Sequence, residues 1–297
     1  MTPNFNYTSL AELVRAAEAE HQPISQMVLR QQAEQLETNE QAVYDRMART
    51  YAVMADSVEP GCDKDLTSTS GLTGGSAYKM KQVSQSGRSI TGPMISGALY
   101  RALAISELNA SMGRIVAAPT AGSCGILPAA VLTVQAERNV SEKACVMSLF
   151  TASAVGMVIA NLASLSGARG GCQAECGSAS AMAAAAVTEL CGGTPHMAEQ
   201  AVAIALKNIL GLICDPVAGL VEIPCIKRNA SGVAGAFVAA ELALAGIDSA
   251  ICADEVIVAM KKVGDAMPAA CKETAEGGLA ATPTGRRLRE QVFGSGR

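Results

Sequence analysis

"CVMSLFTASAVGMVIANLASLSGA", residues 145–168, carries no charged side chain between Lys143 and Arg169, and the fold turns on how it is read. It is long enough to cross a bilayer, which takes about 20 apolar residues. Its composition argues otherwise: Asn161 and many Ser, Thr, Ala and Gly residues replace the Leu-rich centre and aromatic flanks of a membrane span. The stretch is expected to be a helix buried on all sides inside a large helical bundle, with no membrane involved.

The next segment has the same character. "GGCQAECGSASAMAAAA", residues 170–186, opens with a Gly-flanked pair, Cys172 and Cys176, and continues as almost pure Ala and Ser. Side chains this small let helix axes approach closely. Further helices are expected near residues 92–112, 125–137, 141–166, 177–191, 195–212, 230–246 and 252–265, with Thr194 capping Pro195 at the first helical position. Alternating β-branched patterns are nearly absent. The expected fold class is all-α, a compact helical bundle with Gly/Ser-rich active-site loops. Residues 1–60 form a helical cap or docking segment, and residues 61–297 the helical catalytic part of what is one domain overall. In the cap, "SLAE" (Ser9 to Glu12) and "TNEQ" (Thr38 to Gln41) are capping-box patterns. The second opens a stripe of Val43, Met47, Tyr51, Met54 and Val58 that needs a covering surface.

With 297 residues, 49% hydrophobic and 17% charged, the chain has material for a substantial core. A net charge of -4, no Trp, four Phe and five Tyr exclude the basic, aromatic-bearing surface of a nucleic-acid binder, so a small-molecule substrate is expected. The N-terminus has no basic stretch followed by an apolar one, which points to the cytoplasm. There the ten cysteines stay reduced, and their uses are burial, metal binding or catalysis. Cys145, Cys191 and Cys252 lie in apolar helical stretches and read as inert core residues.

Four cysteines have unusual surroundings: Cys172 and Cys176 after "GARGG", Cys214 in "GLICDPVAG" and Cys225 in "VEIPCIKRNA". Gly or Pro beside each places the thiol at a helix end or loop, where backbone N–H groups can face sulfur. No zinc-finger spacing is present, and spacing leaves metal binding and buried structural thiols equally open. "STSGLTGGSAYKM", residues 68–80, sits in the longest loop signal of the chain and has the glycines and hydroxyls of an anion-binding nest without nucleotide-loop spacing. A carboxylate suits it. "AAPTAGSCG", residues 117–125, is a second such loop or a tight interhelical turn, with Thr120 and Ser123 as donors. Acid–base residues are scarce. His21 reads as a surface residue, and His196 lies at a helix N-terminus that disfavours its charged form. Lys272 and Thr274 in "CKETAEGGLA" are the better proton-transfer candidates, although a solvated loop explains them equally well.

Taken together, "SGLTGG", "ALAISELNASMGRIVAAPTAGSCGILPA", "GCQAECGSASAMAAA", "GLICDPVAGLVEIPCIKRNA" and "KETAEGGLA" resemble, in order and over nearly the whole chain, the α chain of the bacterial iron-sulfur L-serine dehydratases. The resemblance implies an all-helical catalytic unit that holds a [4Fe-4S] cluster through three cysteines, matching Cys172, Cys214 and Cys225 here and leaving Cys176 as a neighbour. It implies an oxygen-sensitive lyase of amino-acid catabolism that deaminates L-serine to pyruvate and ammonia. The substrate is then bound by Ser70, Gly71, Thr73, Gly74, Gly75, Asn109 and Thr120, with Lys272, Thr274 and Ser123 as catalytic candidates. Two departures stand out. The family's Asp after the Gly pair is Ser76 here, and no room remains for the regulatory domain of single-chain members. The second implies a heteromer with a smaller β chain, which could supply a histidine. The alternatives are a cysteine desulfidase on the same fold and a non-catalytic iron-sulfur or zinc redox sensor. A pyridoxal-phosphate dehydratase would need an α/β fold and a tetraglycine loop that are not found.

Overall fold

The structure, a computed structural model, describes residues 7–294. Its α-helices are, in order, α1 (Leu10–Ala19), α2 (Ile24–Gln35), α3 (Glu40–Asp56), α4 (Val58–Gly61), α5 (Ser76–Gln85), α6 (Gly92–Ala110) and α7 (Ile126–Arg138). Then follow α8 (Glu142–Leu162), α9 (Gly167–Gly170), α10 (Ser178–Leu190), α11 (Pro195–Lys207), α12 (Cys225–Leu244), α13 (Ala253–Ala266) and α14 (Pro283–Phe293). Among the described residues the sole extended pairing is an isolated parallel bridge between Cys214 and Lys272. The fold is all-α, as the composition and periodicity indicate.

α10 is the axis of the molecule. It is enclosed by α7, α8, α11 and α12, and every residue from Ser178 to Thr188 is buried. Four neighbours can close around one helix because its side chains are almost all Ala or Ser, which leaves the close approach to backbone and methyl contacts. On the α12 side, Ser180 donates its hydroxyl to the Gly232 carbonyl at 2.9 Å, and a Cβ on Gly232 would lie 2.5 Å from Ile126 Cδ1. α8 is the one helix among the described residues long and apolar enough to cross a membrane. Here it lies against α2, α3, α7, α10 and α13 with two-thirds of its apolar window buried, not buried on all sides as expected, because its C-terminal half leaves Met157, Ala160 and Asn161 at the surface.

α1–α3 form an outer layer built on the ordinary amphipathic pattern. Leu10, Leu13, Val14 and Ala17 of α1 are buried against α11 and α13, and α2 and α3 lie on α8. Ser9 caps α1 through its hydroxyl, while the second cap is Asn39 rather than Thr38, because the Asn39 side chain captures the Ala42 N–H. The α3 stripe needs no partner chain: Val43, Tyr51 and Met54 are buried and Met47 and Val58 pack on the same core.

Several helix limits differ from those expected. α11 ends at Lys207 because the following turns lead into Gly211 at φ +88. α12 begins at Cys225, directly after Pro224, rather than near residue 230. Residues 57–80 contain α4 and the start of α5, and α14 was not anticipated at all. Cys252 is exposed at the start of α13 instead of buried.

Candidate active site

Cys172, Cys214 and Cys225 lie on three segments that the fold draws together, and all three are buried and unpaired. Cys172 follows Gly171, whose φ of +77 and lack of a side chain are both required: a Cβ there would meet Met267 Sδ at 2.6 Å and the Leu212 carbonyl at 2.8 Å. After Cys172 the chain makes one π-helical turn, Gln173–Gly177, before α10 begins. Such turns are uncommon and concentrate at functional sites. Fully buried Gln173 fixes this one, donating Nε2 to the Met260 carbonyl at 2.9 Å and accepting the Gly211 N–H at 2.9 Å. Its own N–H donates to Leu212 O at 3.0 Å, so the Cys172 turn is tied to the strand-like run that carries Cys214. Cys225 is the first residue of α12, and Asn229 one turn later holds it: Nδ2 donates to Cys225 O at 2.9 Å and to Gly122 O at 2.7 Å, and Oδ1 accepts the Gly125 N–H at 2.9 Å.

The thiols sense one another. Burial, then the charge of Cys172, raises the pKa of Cys214 and pushes that of Cys225 up to about 12. Cys172 is the exception, held below the ordinary thiol value. Its sulfur accepts the Cys176 S–H at 3.3 Å, which outweighs its own burial, and the Arg228 guanidinium adds to the effect. Arg228 is fixed in turn by a 2.8 Å ion pair with buried Asp215 and a 2.9 Å bond to Ile213 O.

The two Gly/Ser loops meet at the C-terminal end of α6, and the second of them reaches the thiol cluster. Thr69 N–H donates to Ala110 O at 3.0 Å and Asn109 Nδ2 to Ala121 O at 3.2 Å, so residues 68–75 and 117–125 flank the same helix end. From the second loop, Thr120 lies 3.0 Å from the Ser123 hydroxyl and donates to Glu175 Oε1 on the π turn. A Cβ on Gly167 would be 3.0 Å from Cys214 Sγ and 3.4 Å from Glu175 Oε2, which puts that carboxylate beside the thiols. Burial raises the pKa of Glu175, its bond from Thr120 opposes this, and the nearby charge of Glu273 adds to it. A cavity of about 550 Å³ elsewhere, lined by Ala218, Arg286 and Phe293 among others, includes none of the thiols.

The model of the family described as serine dehydratase alpha chain matches residues 19–280. The chain belongs to this family. It is 49% identical over 97% of its length to a "Probable L-serine dehydratase, alpha chain" of Bacillus subtilis, covering 96% of that protein. It is 42% identical over 92% of its length to the "L-serine dehydratase, alpha chain" of Peptoniphilus asaccharolyticus, covering 94% of it. "L-serine dehydratase 2" of Escherichia coli is 36% identical over 93% of this chain, which spans 62% of that longer protein.

Within this family member the remaining candidates fall into two groups. Ser70, Thr73 and Asn109 turn their side chains to the loops themselves: Ser70 Oγ accepts Leu72 N–H at 3.1 Å, Thr73 Oγ1 donates to Glu222 at 2.6 Å, and Asn109 bonds Ala121 as above. Gly71 N–H donates to Ser68 O at 2.9 Å. Gly74 at φ +151 and Gly75 at φ +71 make the turn into α5, and a Cβ on Gly74 would lie 2.1 Å from Leu66 O. The amides of Ser76 and Ala77, the first of α5, are already taken by the carboxylate of buried Glu107 at 2.9 and 3.0 Å. Glu107 thus supplies from α6 a negative charge at this helix N-terminus.

Lys272 reaches the site through the backbone. Cys214 N–H donates to Cys271 O and Glu273 N–H to Cys214 O, each at 2.8 Å, so the 271–273 run lies along Cys214. Thr274 is exposed and donates its hydroxyl to Ala269 O at 3.2 Å, bracing the loop. His196 is exposed and 3.3 Å from Asp248, and His21 is exposed at the end of α1. Sequence reasoning missed Glu175, Glu107, Arg228's pairing with Asp215, and Asn229. The acidic residue between Cys172 and Cys176 was the one available signal for Glu175.

Proposed function

We propose that this chain is the catalytic chain of a lyase that converts L-serine to pyruvate and ammonia by eliminating water, using a [4Fe-4S] cluster held by Cys172, Cys214 and Cys225. The observation that carries the reading is the convergence of three buried, unpaired thiols from three segments, in a chain whose relatives are named L-serine dehydratases. The donor set suits a cluster. Cys172, Cys214 and Cys225 offer three thiolates, the donor type a cluster takes, each on a separate iron. When bound, it supplies a Lewis acid that helps the strongly basic hydroxide leave.

The other tasks fall to this chain's own residues. Arg228, paired with Asp215, favours the thiolate of Cys172. The amides of Gly74 and Gly75 and the hydroxyl of Ser123 are the donors for the substrate carboxylate, with Ser70, Gly71, Thr73, Asn109 and Thr120 holding the loops in place. Lys272, docked along Cys214, is the candidate to move the α-proton, and the product aminoacrylate hydrolyses to pyruvate and ammonia. A smaller β chain completes the site and brings a histidine, since both histidines of this chain are exposed. We place the enzyme in the cytoplasm.

The test is anaerobic purification, alone and with the β chain, followed by iron and sulfide analysis and pyruvate release from L-serine, L-threonine and L-cysteine. About four iron and four sulfide per chain are expected, with L-serine preferred, air inactivation, and a gain of ~10²–10⁴-fold on adding the β chain. Serine turnover without iron, or pyruvate from L-cysteine alone, would overturn the proposal.

A further inference from the structure

Glu175 has no part in the reading above, yet it is the carboxylate most firmly built into the site. It stands on the π turn between Cys172 and α10 and is half-buried. Thr120 holds Oε1, and Gly122 leaves the space for it, since a Cβ there would lie 2.6 Å from that oxygen. Oε2 accepts no hydrogen bond among the described residues and points to the side where Cys214 Sγ lies, across Gly167. No cation answers it. Glu175 makes no ion pair among the described residues, the nearby Arg228 is matched by Asp215, and Glu273 adds a second negative charge on the same side.

A half-held carboxylate, uncompensated and beside three thiols, is costly to keep unless a cation arrives with the substrate. L-serine brings three groups: a carboxylate that needs donors, a hydroxyl that leaves, and an α-ammonium that needs an acceptor. The loop amides and hydroxyls are donors and suit the first. Among the groups on the thiol side, Glu175 is the rigidly positioned acceptor.

We propose that Glu175 Oε2 binds the α-ammonium of the substrate and makes the site specific for an amino acid over the corresponding hydroxy acid. This rests on the serine-elimination reading. Burial makes the discrimination large, because truncating one partner of a desolvated charge pair weakens binding by roughly 30-fold or more.

The experiment uses the cluster-loaded enzyme with its β chain and compares wild type with Glu175→Gln. L-alanine, which keeps the ammonium, and 3-hydroxypropanoate, which lacks it, serve as competitive inhibitors. Iron content and the visible spectrum are recorded for each protein. In Glu175→Gln the KM for L-serine and the inhibition constant of L-alanine should rise by about 30-fold, while 3-hydroxypropanoate binds no more weakly and iron is retained. Thr120→Val, which leaves the carboxylate but removes its anchor, should shift the ratio of the two inhibition constants in the same direction by less, so the test stands even if the Gln variant fails to fold. An unchanged ratio, with both inhibitors weakened alike or neither affected, overturns the inference. A cluster-loaded wild type that releases no pyruvate from L-serine defeats the underlying reading instead, and this inference with it.

Discussion

The outer layer of α1–α3 and the centre around α10 are both helical and both buried on their inner faces, yet they are packed on different principles. In the outer layer, Leu10, Leu13, Met27 and Tyr51 project from amphipathic helices and fill space with large, adaptable side chains. In the centre, Ala179, Ala181, Ala183, Ala184, Ala185 and Ala186 are all fully buried, and the fit is set by backbone and methyl contacts. Side chains of the first kind can re-seat after a change, while the second kind leaves nothing to move. The candidate site stands on the second kind, with the π turn and Cys172 leading directly into α10.

The sharpest test of this contrast lies at the thiols. Cys172→Ala, Cys214→Ala and Cys225→Ala should each abolish bound iron and reduce serine turnover by at least about 10³-fold, a loss of the Lewis acid and not of one contact. Cys145→Ala on α8 should keep both. Anaerobic iron analysis with a pyruvate assay decides, and full iron content in any of the first three would break the assignment.

Next come two substitutions of opposite kinds. Leu13→Ala opens a cavity under α1 and should cost about 2–5 kcal/mol in an anaerobic urea titration, yet leave the iron content of the folded fraction unchanged. Gly264→Ala adds one methyl where α13 crosses the Cys172 segment, with the new Cβ 2.8 Å from Gly170 Cα. It should cost about 1–3 kcal/mol, less than Leu13→Ala, but lower iron occupancy as well. Equal iron content in the two variants would erase the distinction between the regions.

The smallest expected effect is a pH dependence at Glu189, which joins them. On α10, its carboxylate accepts the Ser25 N–H of α2 at 3.3 Å and the Thr151 hydroxyl of α8 at 2.6 Å. Burial raises its pKa above the usual 4.5 despite both bonds. The folded state therefore holds the proton more tightly than the unfolded state, so this group's contribution to stability falls as pH rises from about 4.5 through the raised value and is level above it. Glu189→Gln can keep both hydrogen bonds on its amide oxygen. Its stability relative to wild type should rise over that pH window, as read by thermal unfolding at several pH values, and a constant difference would contradict the burial of this charge.

Much of this was legible in the sequence, for reasons that differ by region. The outer helices announce themselves through apolar spacing and caps, because their packing is local and one-sided. The cap that was misplaced by one residue, Thr38 for Asn39, reflects two adjacent residues of equal capping power. α10 could be read only from composition, since a helix buried on every face has no stripe, and α8 shows no stripe either although Met157, Ala160 and Asn161 reach solvent. α5 and the start of α12 lay hidden behind Gly and Pro, because nothing local says whether a Gly pair ends a loop or starts a helix. Glu175 and Glu107 were invisible as partners, their hydrogen bonds spanning 55 and about 30 residues of chain.

By itself the sequence determined the all-α class, the buried small-residue run of residues 178–188 and the order of motifs that marks the family, because each depends on residue type and near-neighbour spacing. Only the tertiary structure decided that the α3 stripe is covered by the chain's own α8, that Glu107 caps α5 from α6, and that Glu175 faces the thiols with one oxygen held and the other free. Those relations depend on where distant segments cross. The crossing points are set by the space that Ala and Gly leave between helices, a quantity the one-dimensional pattern does not contain.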